Sequence, residues 1–597
     1  MYLCIKKFDV FNMNFKRIIL ISLILCFLSF SCVSASENQT SIENSNVNNI
    51  NVIDVVDEDI NEYDNDMFTG KNVSEGQGVV SGELLFSSNV NDKNATVNLV
   101  DSPTVAGENG SDGSGVVFVE LLSSSNVNDM LSASKVGTRD ELNNLVIAAK
   151  DGSTITLDKD YNFEANANSI EITKSLVIDG RGHTIASGYN PVFNLKYENS
   201  IRKIEIKNID FVGGSGGIIT ADGRCPFIIS NCKFINCTRG GLAGAISALA
   251  KYNSQIIDCT FKKCYAFGET KTVRWETFST ITSTASSSGG AILISDLVTV
   301  KSCRFEDCSA GDGGAITAYG KCQIIDCVFV KNHAGRAECM QSYEHGGAIY
   351  LHGGSGALIK GCTFNENSAG RFGGAISMSA NDVRIEDCIF NSNYVDDSIK
   401  QKGGAIFILS DSRIGDTGIQ ITRCTFNNNG YNGNNHYCKY GGAIYFDEGI
   451  ITGQISYCNF TGNGASKEGG AVYASSDCKY LNFKGCLFSK NQVKEYGGGI
   501  YLDSKFSSIV DCAFVEQPNA IYCDNKKCEV KFCTFLRNTN YDVWSTKEIN
   551  IANNWFGNTM DNRYYDLAKL KGKAVNLNNR ENLYLVATSM DKNYFIG

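Results

Sequence analysis

The chain is poor in the residues that break chains or bind metals. Its 597 residues hold four prolines, five histidines and three tryptophans. Four prolines against 59 glycines suit a chain of strands with glycine corners. Five scattered histidines leave no His-rich metal cluster to expect, and no cofactor is implied. Long apolar runs are scarce too. The single candidate, Ile18 to Phe30, has 13 residues, whereas about 20 are needed to cross a bilayer. We therefore expect no membrane span in the mature chain. Excess positive charge is also lacking: 54 basic residues face 64 acidic ones, a net charge of −10. That balance makes nucleic acid an unsuitable partner, because binding it needs a basic face.

The short apolar run has a use. Lys16 and Arg17 precede it and Val33-Ser34-Ala35 follows it, the order of a signal peptide covering residues 1–35. The product is expected to be secreted and held at the cell surface. Residues 36–135 then form an acidic spacer rich in Asn and Ser. Between residues 37 and 135 there are 17 acidic residues against 3 basic ones. The segment also duplicates itself, with Gly78 to Asp92 matching Gly115 to Asp129 at 12 of 15 positions. Low apolar content with charge of one sign cannot bury enough surface to fold, so disorder is expected. Asn-x-Ser/Thr triplets at Asn38, Asn72, Asn94, Asn109, Asn236 and Asn459 are candidate glycan acceptors in an exported chain.

What is abundant is one repeated phrase, apolar-x-x-Cys-x-Phe-x-x-Asn. Its Cys recurs eleven times, from Cys232 through Cys362 to Cys533, each with a Phe two residues later. Asn367 and its equivalents close the phrase in seven copies; Cys237, Cys264 and Cys308 replace Asn in the first three, and Gln517 does so once. A second phrase, Gly-Gly-Ala-Ile, alternates with the first, as at Gly346 and Gly373. A unit this short cannot bury its own apolar face, so it must stack on its neighbours as a solenoid. Apolar residues recur at every second position, as in Ile349 and Leu351, which is a strand period. Three residues from Ile to Cys break that period and demand a corner. The fold class is therefore all-β: a parallel β-helix solenoid over residues 136–558. It should be right-handed, because parallel crossovers almost always are. Thr138 and Glu141 form a capping box for a helix placing Leu142, Leu145, Val146 and Ala149 on one face. That helix would cover the bare first coil, and Asn553 to Phe556 would close the last. Residues 559–597 are expected to be a tail with one strand, at Asn582 to Ser589.

Gly-Gly-Ala-[Ile/Val] alternating with Phe-x-x-Asn resembles the repeat of chlamydial polymorphic outer membrane proteins. With the added Cys and the Asn- and Ile-rich composition, it resembles the adhesin-like surface proteins of methanogenic archaea that carry the same repeat. The resemblance covers about seven tenths of the chain. It implies a cell-surface or secreted β-helix with an adhesive role. The chain departs from the chlamydial pattern in leaving no room for a translocating barrel after Asn558, and from the archaeal one in having no full immunoglobulin-like module.

Twenty-four cysteines in an exported chain raise disulfides. Equally spaced sulfurs on in-register strands have no natural pairing, so buried thiols are the preferred reading and a disulfide ladder the alternative. Metal is not expected, since no His stands at ligand spacing.

A secreted polysaccharide-cleaving enzyme, lyase or glycosidase, is the rival function, because β-helices host such enzymes. Asp258, Asp326, Asp387 and Asp511 precede the Cys column but alternate with non-acidic residues, which gives no pair on adjacent coils. Asp179-Gly180-Arg181-Gly182-His183 resembles a pectinase fragment only superficially. No catalytic residue is assigned, and a surface-coat role is the third reading. Binding residues are sought where length varies, on the segment between the Asn position and Gly-Gly. Its long copies carry Arg274, Trp275 and Glu276, then Arg336, Tyr343 and His345, then His436 and Tyr437. Exposed aromatics beside polar groups suit a glycan or a surface protein of another cell. We expect a monomer. Neutral length drift at a permissive corner is the competing account of these loops.

Overall fold

The computed structural model describes residues 136–576 apart from short internal stretches: 197–202, 222–224, 250–252, 269, 275–279, 285–286, 336–343, 397–400, 411–417, 432, 434–436, 526, 558–569 and 573–574. The expected signal peptide, acidic spacer and strand at Asn582 to Ser589 lie outside the described residues.

The described chain winds into coils that stack three long parallel sheets. Sheet 1 has 16 strands and carries the Phe of each repeat; sheet 2 has 15 and follows each Gly-Gly; sheet 3 has 16 and precedes each Cys. A short six-stranded sheet 4 lies between the Asn position and Gly-Gly. Every coil pairs in register with the next, so Phe329 faces Phe364 and Phe364 faces Phe390. The expected solenoid is observed. It continues beyond its expected end at 558, because Leu570–Gly572 pairs with Tyr541–Ser545 and Val575–Asn576 pairs with Ile549–Ala552.

One column of rings runs through the core. From Phe211 to Phe556 the sheet 1 phenylalanines stack with centroids 4.7–5.2 Å apart. The spacing is that of the strands themselves, so in-register pairing delivers each ring onto the last. The column outruns the Cys motif at both ends: Phe211 follows Ile209 and Phe556 follows Asn554, where other copies have Cys.

The corners obey a single rule. The residue before each Cys has positive φ, from Asn231 (50°) through Asp387 (55°) to Phe532 (58°). The residue before each Asn position does too, from Asn236 (55°) through Glu366 (53°) to Arg537 (54°). A left-handed residue turns the chain sharply and aims the next side chain inward along the axis. At the second corner that side chain is an amide. Asn393 donates its backbone N–H to Oδ1 of Asn429 at 3.0 Å and its Nδ2 to the same oxygen at 2.9 Å. The same Nδ2 reaches back to the carbonyl of Phe364 at 3.0 Å. Asn332, Asn367, Asn429 and Asn463 repeat these bonds, all fully buried.

At the first corner the thiols do the same. Cys362 donates its backbone N–H to Sγ of Cys388 at 3.4 Å, while its own S–H reaches the carbonyl of Ile324, one coil back, at 3.5 Å. The two side chains are interchangeable. Cys308 N–H donates to Asn332 Oδ1 at the second corner, and Cys533 N–H donates to Asn554 Oδ1 at the first. All twenty cysteines among the described residues are free and buried. Burial pushes the thiols of Cys264 and Cys308 well above their ordinary pKa, so they stay protonated and remain donors.

Gly-Gly makes a third corner for two reasons. Gly346 has φ 67°. A Cβ on Gly347 would lie 2.1 Å from the carbonyl oxygen of Gly374 in the next coil. The first glycine supplies the conformation and the second the close approach.

Helix α1, Arg139–Ala148, covers the first coil with the expected capping box: Glu141 N–H donates to Thr138 Oγ1 at 3.3 Å and Thr138 N–H to Glu141 Oε2 at 3.2 Å. Leu142 and Val146 are buried beneath it. Leu145 is not on that face; it is 42% exposed, because the helix is tied down along one narrow stripe. Ala149 is the C-cap and half-buried.

Two stability experiments follow from these columns. Phe364→Ala removes a fully buried ring and should lower stability by about 3–5 kcal/mol; an unshifted melting curve would place the ring outside the core. Asn429→Ala strands the Asn393 N–H and the Phe390 carbonyl and should cost at least about 2 kcal/mol. Asn429→Cys should cost clearly less, since Cys308 already fills that role; equal losses would refute the interchangeability of the two ladders.

Candidate binding surfaces

Four features point to sites, and the corners account for the first. Asp258, Asp326, Asp387 and Asp511 all occupy the left-handed position before the Cys, with φ of 52°, 53°, 55° and 57°. Asp and Asn tolerate that conformation better than other non-glycine residues, and two further copies have glycine there, Gly361 and Gly485. Their recurrence is a backbone requirement. Arg423 forks onto Asp387 at 2.6 and 3.0 Å and holds its carboxyl below the ordinary value. Arg181, in the pectinase-like stretch, is one more such corner, with φ 50° and its N–H on Asp179 Oδ1 at 3.1 Å.

The second feature is the variable edge between sheet 4 and Gly-Gly. The longest insertion folds as an antiparallel hairpin, Thr270–Arg274 with Thr280–Thr284, so that Arg274 ends the outgoing strand opposite Thr280. Trp275, Glu276, Arg336, Tyr343 and His436 lie outside the described residues. His345 sits at the root of the edge. It lies between Tyr350 and Phe372, with ring centroids at 4.9 and 5.0 Å, and its Nδ1 is 2.8 Å from Ser377 Oγ. Burial brings its pKa down to about 4, so it is neutral in ordinary buffers. Tyr437 pairs across its loop with Tyr431, their centroids 4.9 Å apart, and its ring rests against Gly464. Of the eight candidates, the described residues include Arg274, His345 and Tyr437, each on a different insertion.

The third feature is the outward tyrosine column of sheet 2. Tyr445, Tyr473, Tyr501 and Tyr522 stack at 4.7, 4.8 and 4.9 Å. Stacking occupies their faces. Lys402 closes the column by lying 4.6 Å over Tyr445 while its Nζ is 3.2 Å from Asp447. Glu468 and Asp503, half-buried nearby, have their carboxyls raised by burial. Asp312, still more buried, is pushed up to about 6.

The fourth was missed in the sequence: the outer face of sheet 1 loses all charge in its later coils. Its signal was the pair of residues flanking each Phe, visible only once sheet 1 is known to face outward there.

A family model described as "Right handed beta helix region" matches residues 272–451, and one for the Chlamydia polymorphic membrane protein repeat matches 457–475 and 485–503. The solenoid is thus right-handed and carries repeats of the polymorphic membrane protein type. No curated protein matches the chain. Among solved structures it is similar to an alginate lyase in complex with G6, at 13% identity and TM-score 0.33, covering 74% of this chain and 87% of that one. It is also similar to the A-module of the Azotobacter vinelandii mannuronan C-5 epimerase AlgE4, at 10% identity and TM-score 0.23, covering 74% and 93%. These likenesses reach no further than the fold.

If the corner acids serve the backbone, Asp326→Gly should leave the melting curve nearly unchanged, whereas Asp326→Val should cost about 1–2 kcal/mol. Similar behaviour of the two variants would give Asp326 another role.

Proposed function

We propose that this chain is an exported cell-surface protein that acts by adhesion, binding glycans or the surface of another cell without chemistry of its own. One observation carries the reading: the scaffold is constant while one edge varies. The coil from Phe261 to Phe305 spends 44 residues and the coil from Phe535 to Phe556 spends 21, yet the rings stand 4.8 and 5.0 Å apart. Extra chain leaves and returns without disturbing the stack. Rigid scaffolds that present variable loops along one edge suit recognition. The resemblance to adhesin-like surface proteins supports the same reading, and so does the signal peptide read from residues 1–35. Monomeric action is part of it.

Replacing the hairpin Thr270–Thr284 by a short Gly-Ser turn tests the edge. Stability should barely change, because a long loop adds little closure cost and few buried contacts, while attachment to a cell monolayer should fall. Full attachment by a stable, shortened protein would remove the hairpin from the binding edge. Release of reducing ends or unsaturated sugars from a panel of polysaccharides would replace adhesion by the enzymatic alternative.

A further inference from the structure

From Val328 onward, sheet 1 runs through nine successive strands, the last being Trp555–Gly557. Each places one inward Phe between two outward residues. Not one of those outward residues is charged; they are Thr, Asn, Ser and small or apolar side chains, as at Thr363 and Asn365 or Leu487 and Ser489. The earlier coils of the same sheet are charged and paired, with Lys233 to Asp210 at 2.7 Å and Lys262 to Glu306 at 2.9 Å. Sheet 3 of the same late coils carries Lys360, Arg384, Glu386, Lys484, Glu529 and Lys531 outward. Coil geometry therefore does not forbid charge. The outward strand positions of sheet 2 are uncharged in these coils as well, but there rings stacked on one another fill the face from Phe407 to Tyr522.

That face is also ordered. Asn391 Nδ2 donates to Asn365 Oδ1 at 2.9 Å, and Asn427 Nδ2 to Asn391 Oδ1 at 3.0 Å, a second amide ladder on the outside. Two aromatic residues stand on its rim. Tyr457 is 56% exposed and Phe532 44%, both on left-handed corners with φ 55° and 58°. Bulky residues there cost about 1–2 kcal/mol relative to glycine. Neither ring is in the core; Tyr457 lies against Gly485 of the next coil, with much of its surface open to solvent.

We propose that the outer face of sheet 1 between Val328 and Gly557, with Tyr457 and Phe532 on its rim, binds an uncharged polysaccharide laid along the solenoid axis. This deepens the adhesive reading and rests on it, but does not depend on the hairpin edge. An uncharged strand lattice fits a neutral ligand, since a charged one would lose hydration over it, and the basic side chains at its rims are already committed, Arg423 to Asp387 and Lys490 and Arg537 to Glu516. A lattice that repeats the same hydroxyls and amides at every strand, about 4.8 Å apart, suits a polymer of repeated units. Exposed rings give a sugar face something to lie on. A second copy of the chain fits less well. Nine strands about 10 Å wide and about 4.8 Å apart offer roughly 400 Å², about half of what each partner buries in a stable protein interface.

Co-sedimentation with microcrystalline cellulose and with chitin tests the face, with a pectate gel as the charged comparator. The secreted chain should be retained on at least one neutral polymer and less on pectate. Ile389→Lys with Thr425→Lys, two outward positions on adjacent coils, should reduce retention at least about tenfold, because each buried unpaired charge costs more than the 1.4 kcal/mol that corresponds to tenfold. Gln420→Lys with Gln454→Lys, on sheet 3, should leave it unchanged, and melting curves verify that both variants fold. Should the double lysine variant fail to fold, Tyr457→Ala alone must still weaken retention. No retention of the unaltered chain on either neutral polymer, or equal losses on the two sheets, would overturn the proposal. Cell attachment separates the two readings: if cells are bound but the face variants change nothing, the face is wrong and adhesion stands. If neither cells nor polymers are bound, both fall.

Discussion

The whole solenoid depends on one device, a left-handed residue followed by a side chain that can accept a backbone N–H from the coil before it. A parallel β-helix must turn its chain several times per coil without leaving buried amides unpaired. Turning with a left-handed residue breaks the sheet ladder at that point, and the inward Asn or Cys repairs it. The repair is cumulative, because each side chain serves the coil before it and leans on the one behind. Amide chains of this kind polarise one another, so the ladder is worth more as a unit than as separate bonds.

From that device the other regularities follow. Since the Asn and Cys corners close in the same way from coil to coil, the coils keep register and the Phe rings meet at the strand spacing. Since the corner demands a conformation and not a chemistry, its left-handed position accepts Asp, Asn, Gly, Lys, Arg or Tyr, and its outward side chains are free to serve another purpose. The same freedom explains why carboxylates recur along an axis without forming a catalytic pair. It also makes the aromatic exceptions, Tyr457 and Phe532, informative: they stand where a smaller residue would cost less.

The two outward faces divide the work differently. On sheet 2 the aromatics stack on one another and are closed off by residues such as Lys402 and His345, which stiffens the face and consumes its ring surface. On the later coils of sheet 1 the outward strand residues are uncharged and leave a lattice open to solvent. A rod with one stiffened face, one neutral face and one edge of variable loops has its rigidity and its recognition on separate surfaces, so either can change without loss of the other.

The solenoid, its strand period, the Phe and Cys columns and the capping box at Thr138 were legible in the sequence, because a repeat must bury the same positions in every copy and so writes its core into the spacing. The helix face was legible only in part: Leu142 and Val146 are buried, but Leu145 is not, since helical period alone does not say how wide a stripe the neighbouring coil will cover. What the sequence could not decide was the meaning of positions whose role depends on direction. Asp387 read as a carboxylate in a column; only the fold shows that φ is its reason for being there. His345 read as a loop residue, and only packing shows it held between Tyr350 and Phe372. The neutral face of sheet 1 was invisible for the same reason. Residues scattered over more than two hundred positions become one surface only when the coils are stacked, and stacking is a property of the tertiary structure alone.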